Sequence, residues 1–414
     1  MSTDPITRRV KQALSAIAAG KFVVVADSAD RENEGDLILA AEKATPAALA
    51  FLVRHTGGIV CVALPGQRLR DLGLPLMVTE NTESQGTAFT VSVDLKLGTT
   101  TGISAADRAT TIRGLADPST LAVDFLRPGH VFPLRAREGG VLKRPGHTEA
   151  AVDLARLAGL QPAGVLCEIM NDDGTMARGA ALKAFAERHG LPFLTVADLI
   201  AYRSSRERIV ERTAQSRLTT AHGTFDVYVY RSKLDESEHV VLVKGDVAGR
   251  ENVLVRVHSE CFTGDILAST GCDCGDQLEL ALTCIEQEGA GVVVYLRGHA
   301  GHGIGLTSKV QGYPLQDYGL DTMEANEELG LPVDSRSYDL GAQILTDLGL
   351  TTIRLMSNNP AKLTQLAGYD LRIVERVPLV TAPNLENAFY LRTKQEKLGH
   401  LLNLPAGEFK KFAA

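Results

Sequence analysis

The feature that most constrains this chain is an alternation of short apolar runs with amphipathic stretches that breaks off once and then starts again. Ile6, Val10, Leu14 and Ile17 fall on one helical face, and Gly20 suits the C′ position that ends such a helix. A buried strand, FVVVAD at 22–27, comes next, then IVCVAL near 59–64. A helix from about Thr148 to Leu157, GVLCEI at 164–169, a helix near 180–189 and the strand PFLTV complete the first series. The Thr- and Gly-rich middle, 79–104, reads instead as hairpins or active-site loops.

The segment SSRERIVERTA at 204–214 is charged, poor in aromatics and follows a complete helix, so it is the expected interdomain connection. Beyond it the strands FDVYVY, VVLVKGD and VLVRVH follow closely on one another. Then come a helix near 276–288, the strand GVVVYL, a helix near 337–348, the strand TTIRLM and a last helix near 386–401. No internal repeat is visible. The expected fold class is therefore α/β, with α+β character in the loops: two unrelated mixed α/β domains in tandem at 1–203 and 215–414.

Composition narrows the function. A length of 414 residues exceeds one ordinary core and suits two domains. The net charge of −7 argues against a nucleic-acid binder, although local Arg and Lys clusters would still bind small anionic ligands. The N-terminal MSTDPITRRVKQ has no apolar core of a signal peptide, and no run of 18 apolar residues occurs, so a cytoplasmic chain without membrane contact is expected. Of six cysteines, Cys261, Cys272 and Cys274 crowd together, which reads as a metal or redox cluster rather than a disulfide framework.

Directly after FVVVAD, the string SADRENEGD, which contains DRENEGD, sets Arg31, Glu32, Glu34 and Asp36 close together. Three carboxylates at alternate positions repel one another unless a cation sits among them; a solvated acidic turn is the plainer alternative. RPGHVFPL at 127–134 and RPGHTEA at 144–150 offer Arg, Pro, Gly and His in the same order, suited to phosphate or to an imidazole-bound metal. Thr148 is a candidate cap for the helix after it, whose amides would face a phosphate. Glu168 ends a buried strand, where a carboxylate needs a reason to be.

Over positions 5–203 these strings, with TTTGISAADR and GVLCEIMNDDGTMAR, resemble 3,4-dihydroxy-2-butanone 4-phosphate synthase. The resemblance implies conversion of ribulose 5-phosphate to a four-carbon phosphate and formate. It implies that Glu32 and His147 hold Mg²⁺ or Mn²⁺, and that Arg31, Asp36, Arg144 and Thr148 contact substrate. His130 and Glu168 would be acid/base groups, Glu168 also touching substrate, with Glu34 and Cys61 in the same pocket. Enolising a carbonyl calls for a Lewis acid on its oxygen and a base beside it, which this set would supply.

In the second half, RVHSECFTGDILASTGCDCGDQ at 256–277 carries a C-x10-C-x-C pattern. Three thiolates with one vacancy describe a catalytic zinc site. A structural zinc with a remote ligand, a redox pair or three ordinary thiols are the alternatives, the redox pair being poorly served by cysteines one residue apart. From about Thr219 to Leu402 the chain is similar to GTP cyclohydrolase II, through RVHSEC, CDCGDQLE, GYPLQDYGLDTMEAN, SNNPAK and IVERVPL.

That resemblance implies Zn²⁺ on Cys261, Cys272 and Cys274, and Mg²⁺ accompanying GTP. Arg256 through Glu260, Gln277, Tyr313, Thr322, Ser357 and Lys362 would contact the nucleotide, Asp334 would accept a proton, and Arg336 would act at the α-phosphate. One departure stands out: RGHAGHGIGL at 297–306 has Ala300 and His302 where the family has Glu and Arg. Losing a charge-assisted bond costs a few kcal/mol when its partner is left buried, about 1.5–3 for a charged group. Two active sites, a working synthase with a weakened or redirected second half, and a zinc-stabilised assembly module are thus three distinct expectations. Both resemblances imply small-molecule substrates and a homodimer.

Overall fold

A computed structural model describes residues 4–29, 31–331, 336, 338–366 and 371–404. The chain divides into two compact units, Met1–Arg206 and Glu207–Ala414. The first runs α1 (Pro5–Ala18), β1 (Val23–Ala26), β2 (Gly35–Ala40), α2 (Pro46–His55), β3 (Cys61–Pro65), α3 (Gly66–Asp71), β4 (Val93–Leu95) and α4 (Ala105–Ala116). It continues with β5 (Phe125–Ala136), α5 (His147–Leu157), β6 (Gly164–Glu168), α6 (Ala180–His189), β7 (Phe193–Thr195) and α7 (Val196–Ser204).

Its seven strands form one sheet in the order β4-β5-β3-β6-β2-β1-β7. The β3/β5 and β1/β7 pairs are parallel, while β2 and β6 run antiparallel to their neighbours. Because side chains alternate across a strand, residues such as Ile38, Cys61, Leu134 and Leu166 meet one layer, packing with Val10 and Ile17 of α1, Leu154 of α5 and Leu199 of α7. Leu37, Val62, Val165 and Cys167 meet the other, with Leu49 of α2, Ile112 of α4 and Leu182 of α6. The first helix is capped by Asp4 and closes with Gly20 at φ 71°, the left-handed geometry that glycine adopts without strain.

The second unit starts with three strands, β8 (Val210–Thr220), β9 (Gly223–Ser232) and β10 (Glu238–Lys244), followed by β11 (Val253–Ser259). Then come α8 (Cys274–Glu288), β12 (Gly291–Leu296), α9 (Leu306–Asp317), α10 (Thr322–Glu328), α11 (Asp339–Asp347), β13 (Thr352–Met356), α12 (Pro360–Leu366), β14 (Arg372–Val377) and α13 (Ala388–Glu396). The sheet order is β14-β13-β11-β12-β10-β9-β8. β11, β12, β13 and β14 are mutually parallel, and β8, β9 and β10 add an antiparallel ribbon.

Three expectations change. The charged segment expected to connect the domains as far as 214 enters strand β8 at Val210, and the units divide between Arg206 and Glu207. β8 is an edge strand, exposed for most of its length, and charged side chains suit such an edge by discouraging stray pairing. The last helix spans only Ala388–Glu396, shorter than the expected 386–401, because Gly399 leaves the helical region at φ 65°. Thr148 does not cap its helix: α5 starts at His147 with Gly146 extended before it, so Thr148 already lies in the first turn.

Candidate active sites

In the first unit the acidic loop folds around Asp27, which sits just beyond β1. Asp27 accepts from the amides of Glu32 and Glu34 at 3.1 and 2.9 Å and pairs with Arg31 at 2.9 Å. This curls the loop so that the Glu32 carboxylate lies 3.0 Å from Arg31 and 3.5 Å from Nδ1 of His147. Asp27, Glu32 and His147 each offer a ligand atom within 4.8 Å of the others. Asp36 is buried beside them, its Oδ1 3.6 Å from His147 Nδ1.

The electrostatics of this cluster are unsettled without a cation. Burial pushes the Asp36 carboxyl up to about 7, with Glu168 and Glu32 adding repulsion against the attraction of His147. Burial opposes charge on His147, and Asp36 with Glu32 outweighs it, lifting the imidazole to about 9. Both Asp36 Oδ1 and His147 Nε2 are buried without a hydrogen-bond partner. Buried polar atoms left so are uncommon and call for a ligand. The donor set, carboxylates plus one imidazole, fits a hard divalent cation.

Two guanidinium groups converge on the same spot. A side chain at Gly146 would lie 2.6 Å from Arg144 Nη1 and 3.1 Å from Arg31 Nη2, so only glycine lets both approach the start of α5. Arg144 is braced by buried Glu149 at 2.8 Å and by the carbonyl of Gln85 at 3.0 Å. Two arginines at a helix N-terminus form a place for an anion.

The sheet register places the remaining groups. Asp36 pairs directly with Glu168, and Cys61 pairs with Leu166 on one side and Phe132 on the other. Glu168 ends β6, and His130 lies in a bulge of β5, where the ladder to β4 shifts from Val93↔Val131 to Asp94↔Leu126. His130 is held by Asp94, which accepts from its amide at 2.9 Å and meets its Nδ1 at 2.7 Å. That contact leaves Nε2 toward the half-exposed side. Cys61 is buried, and burial, then Glu168, pushes its thiol well up, so it stays protonated.

In the second unit a cavity of about 430 Å³ opens beyond the C-terminal ends of β11, β12 and β13, where open parallel sheets place their ligands. The Sγ atoms of Cys261 and Cys272 stand 3.8 Å apart. Tetrahedral thiolates about 2.3 Å from zinc stand about 3.8 Å from each other. A side chain at Gly264 would come within 2.8 Å of Cys272 Sγ and 3.2 Å of Cys261 Sγ, so the turn needs glycine there to gather the thiols. Lys309 of α9 donates to Cys261 Sγ at 2.9 Å and to Thr263 Oγ1 at 2.8 Å, and Tyr313 donates to the same hydroxyl at 3.1 Å. The neighbouring Cys272 and Cys274, and then Lys309, hold the Cys261 thiol far below its usual range.

Arg256 is buried, donating to the Met356 carbonyl at 3.0 Å and to Gln277 Oε1 at 2.6 Å. Lys362, buried as well, donates to the Val257 carbonyl at 2.9 Å; burial, then Arg256, lowers it well below the usual lysine range. Two such cations, costly without a counter-charge, suit a polyanionic ligand. Buried Asp265 accepts from the Cys261 amide and the Tyr295 hydroxyl, both at 2.8 Å, and meets His258 Nε2 at 3.1 Å, which fixes the entry to the cysteine turn.

Residues 11–202 match the family model of 3,4-dihydroxy-2-butanone 4-phosphate synthase, and residues 211–378 that of GTP cyclohydrolase II. A riboflavin biosynthesis protein RibBA of Nocardia farcinica is 58% identical over 393 residues, 94% of this chain and 95% of its own. The chain belongs to the bifunctional riboflavin biosynthesis family. A probable bifunctional riboflavin biosynthesis protein of Oryza sativa subsp. japonica, described as chloroplastic, is 59% identical over 395 residues, 95% of this chain and 73% of that one. The crystal structure of RibBX, a two domain 3,4-dihydroxy-2-butanone 4-phosphate synthase from A. baumannii, aligns with TM-score 0.70 at 38% identity, covering 89% of this chain and 99% of that one. The chain is thus an enzyme of riboflavin biosynthesis, with a synthase unit followed by a cyclohydrolase unit.

Within each unit the structure brings most of these residues together. Arg31, Glu32, Asp36, Arg144, His147, Thr148 and Glu168 lie around the start of α5 in the synthase unit, and His130 is held by Asp94 of β4. Arg256, Glu260, Gln277, Tyr313, Thr322, Arg336, Ser357 and Lys362 line the cyclohydrolase cavity beside the three cysteines. Asp334 lies outside the described residues. Ala300 and His302 fall in a single helical turn, Ala300–Gly303. Nearby, His299 lines the cavity, its Nδ1 3.3 Å from Ser259 Oγ, whereas Arg297 is exposed.

Sequence reasoning passed over Asp27, Asp94 and Lys309. Asp27 is the last residue of FVVVAD, a polar end to an apolar strand, which is a legible signal. Asp94 was hidden in a stretch read as loop, and Lys309 carries no spacing that marks it.

Proposed function

We propose that the first unit converts D-ribulose 5-phosphate to L-3,4-dihydroxy-2-butanone 4-phosphate and formate. The second, in this reading, hydrolyses GTP to 2,5-diamino-6-ribosylamino-4(3H)-pyrimidinone 5′-phosphate, formate and pyrophosphate. The observation that carries it is the closure of two chemically unlike ligand sets, carboxylate–imidazole in one unit and thiolate in the other.

In the synthase unit Glu32 and His147 would hold Mg²⁺ or Mn²⁺, which supplies Lewis-acid polarisation of the substrate carbonyl. Arg31, Arg144 and Thr148 bind the anionic end of the sugar phosphate, and Asp36 orients its hydroxyls. Glu168 and His130 hold and move protons on the substrate, His130 keeping its orientation through Asp94.

In the cyclohydrolase unit Cys261, Cys272 and Cys274 would hold Zn²⁺, which would supply Lewis-acid activation for the hydrolytic ring opening. Arg256 to Glu260, Gln277, Tyr313, Thr322, Ser357 and Lys362 bind GTP, which Mg²⁺ would accompany. Asp334 accepts a proton and Arg336 acts at the α-phosphate. The alternative, a second unit weakened because Ala300 and His302 replace Glu and Arg, is not favoured: the other nucleotide contacts line one cavity together.

Small-molecule substrates suffice, and nucleic acid and membrane play no part. Among the described residues no helix is long and apolar enough to cross a membrane, and the cytoplasm is the proposed location. A homodimer is also proposed, supported in the synthase unit by exposed Leu97, Leu121, Val123 and Leu126.

The test is a product assay on purified, zinc-loaded protein with Mg²⁺, supplying ribulose 5-phosphate and GTP separately. Four-carbon phosphate from the first, and diaminopyrimidine with pyrophosphate from the second, are expected. Absence of either product overturns the reading of that unit.

A further inference from the structure

The match to the cyclohydrolase family model ends at residue 378, yet the cavity wall does not. Glu386, Phe389, Tyr390, Lys394 and His400, all beyond that point, line it. Each turn of this terminal stretch is fastened to a different segment that carries site residues. Asn384 Nδ2 donates to the Thr270 carbonyl at 3.2 Å, and Lys394 Nζ lies 3.0 Å from Asp273 Oδ1. Thr270 and Asp273 belong to the cysteine loop, Asp273 standing between Cys272 and Cys274. The amide of Leu401 donates to the Asn358 carbonyl at 2.9 Å, beside Ser357. Lys397 pairs with Glu324 at 2.7 Å and with Asp321, the cap residue directly before Thr322.

The Lys394–Asp273 pair is the centre of this arrangement. Both side chains are buried, at 7% and 1% exposure, where an unpaired charge would be severely destabilising. The other oxygen of Asp273 accepts from Gln277, and Gln277 in turn accepts from Arg256. The ammonium also faces the Tyr390 ring, 4.3 Å from its centroid. One continuous polar chain therefore joins α13 to the cysteine loop and on to a proposed nucleotide contact.

We propose that residues 384–402 form a clasp that sets the geometry of the cysteine loop against the nucleotide-binding wall, with Lys394 as its positioning residue acting through Asp273. The clasp rests on the cyclohydrolase reading of this cavity. Outer-shell partners of metal ligands commonly change metal affinity or activity by about 10–100-fold when removed, and Lys394 holds Asp273, the residue between Cys272 and Cys274.

The experiment compares full-length wild-type protein with Lys394→Met and Lys394→Arg. Zinc affinity is measured by competition with a chromophoric chelator, the Co²⁺-substituted spectrum is recorded, and kcat and KM for GTP are separated. Lys394→Met is expected to weaken zinc binding about 10–100-fold, shift the thiolate-to-Co²⁺ bands and lower kcat by a similar factor. Lys394→Arg should restore most of each. Zinc affinity, spectrum and kcat within twofold of wild type in Lys394→Met would overturn the clasp.

Hydrogen exchange on the wild-type protein decides the matter even where Lys394→Met fails to fold. Zinc loading should slow exchange in 388–402 together with 261–274, and slowing confined to 261–274 would overturn it. A wild-type protein that neither binds zinc nor turns over GTP would instead refute the underlying reading of the cavity.

Discussion

The two units bring candidate ligands for a cation together in opposite ways. The cyclohydrolase unit takes all three thiols from one turn, Cys261 to Cys274, at the C-terminal end of a parallel strand. The synthase unit draws Glu32 from a loop after β1 and His147 from the first turn of α5, more than a hundred residues apart in sequence. Its sheet has antiparallel strands β2 and β6 at the centre, so the ends of strands pointing opposite ways, Asp36 and Glu168, meet in register. A site made within one loop depends on that loop and on the segments fastened to it rather than on the register of the sheet. A site assembled across a sheet depends on every element that sets its register.

This contrast orders the expected effects. The largest is His147→Ala, which removes an imidazole that no neighbour replaces. Loss of about 4 kcal/mol of Lewis-acid stabilisation would lower four-carbon product formation by about 10³-fold, with zinc content unchanged by metal analysis. A variant keeping a tenth of wild-type activity would break the assignment.

Next is Asp94→Asn, which leaves His130 without its anionic partner at 2.7 Å. Because a positioned acid/base group contributes about 10²–10⁴-fold, kcat for ribulose 5-phosphate should fall by roughly 10² while KM changes little. An unchanged kcat would show that His130 takes no part in proton transfer. Smaller again is Glu149→Gln, which loosens Arg144 by weakening a 2.8 Å charged contact. A loss of about 1.4 kcal/mol in substrate binding would raise KM roughly tenfold, read from initial rates. GTP turnover should be untouched by all three, and a parallel loss there would erase the distinction between the units.

Much of this was legible in the chain, and the reasons differ between the halves. The cysteine cluster was readable because its ligands are close in sequence and chemically conspicuous. Glu32 and His147 were reached through the resemblance of their motifs, since nothing in their spacing says that a loop and a helix start will meet. The core strands were visible where apolar runs are continuous, as in FVVVAD and GVVVYL, both buried. β8 was not, because an edge strand exposed to solvent has the composition of a linker. Asp94 and Lys309 escaped for a related reason: each acts on a residue distant in sequence, His130 or Cys261, and only the folded chain makes them neighbours.

The central claim, two independent sites each with its own metal, is met most directly by Cys272→Ser. Zinc content and both product rates would be measured on the same preparation. The account predicts zinc falling to background, GTP turnover lost, and four-carbon product formation within twofold of wild type. Full zinc retention, or loss of both activities in a protein whose circular dichroism and melting are unchanged, would contradict it.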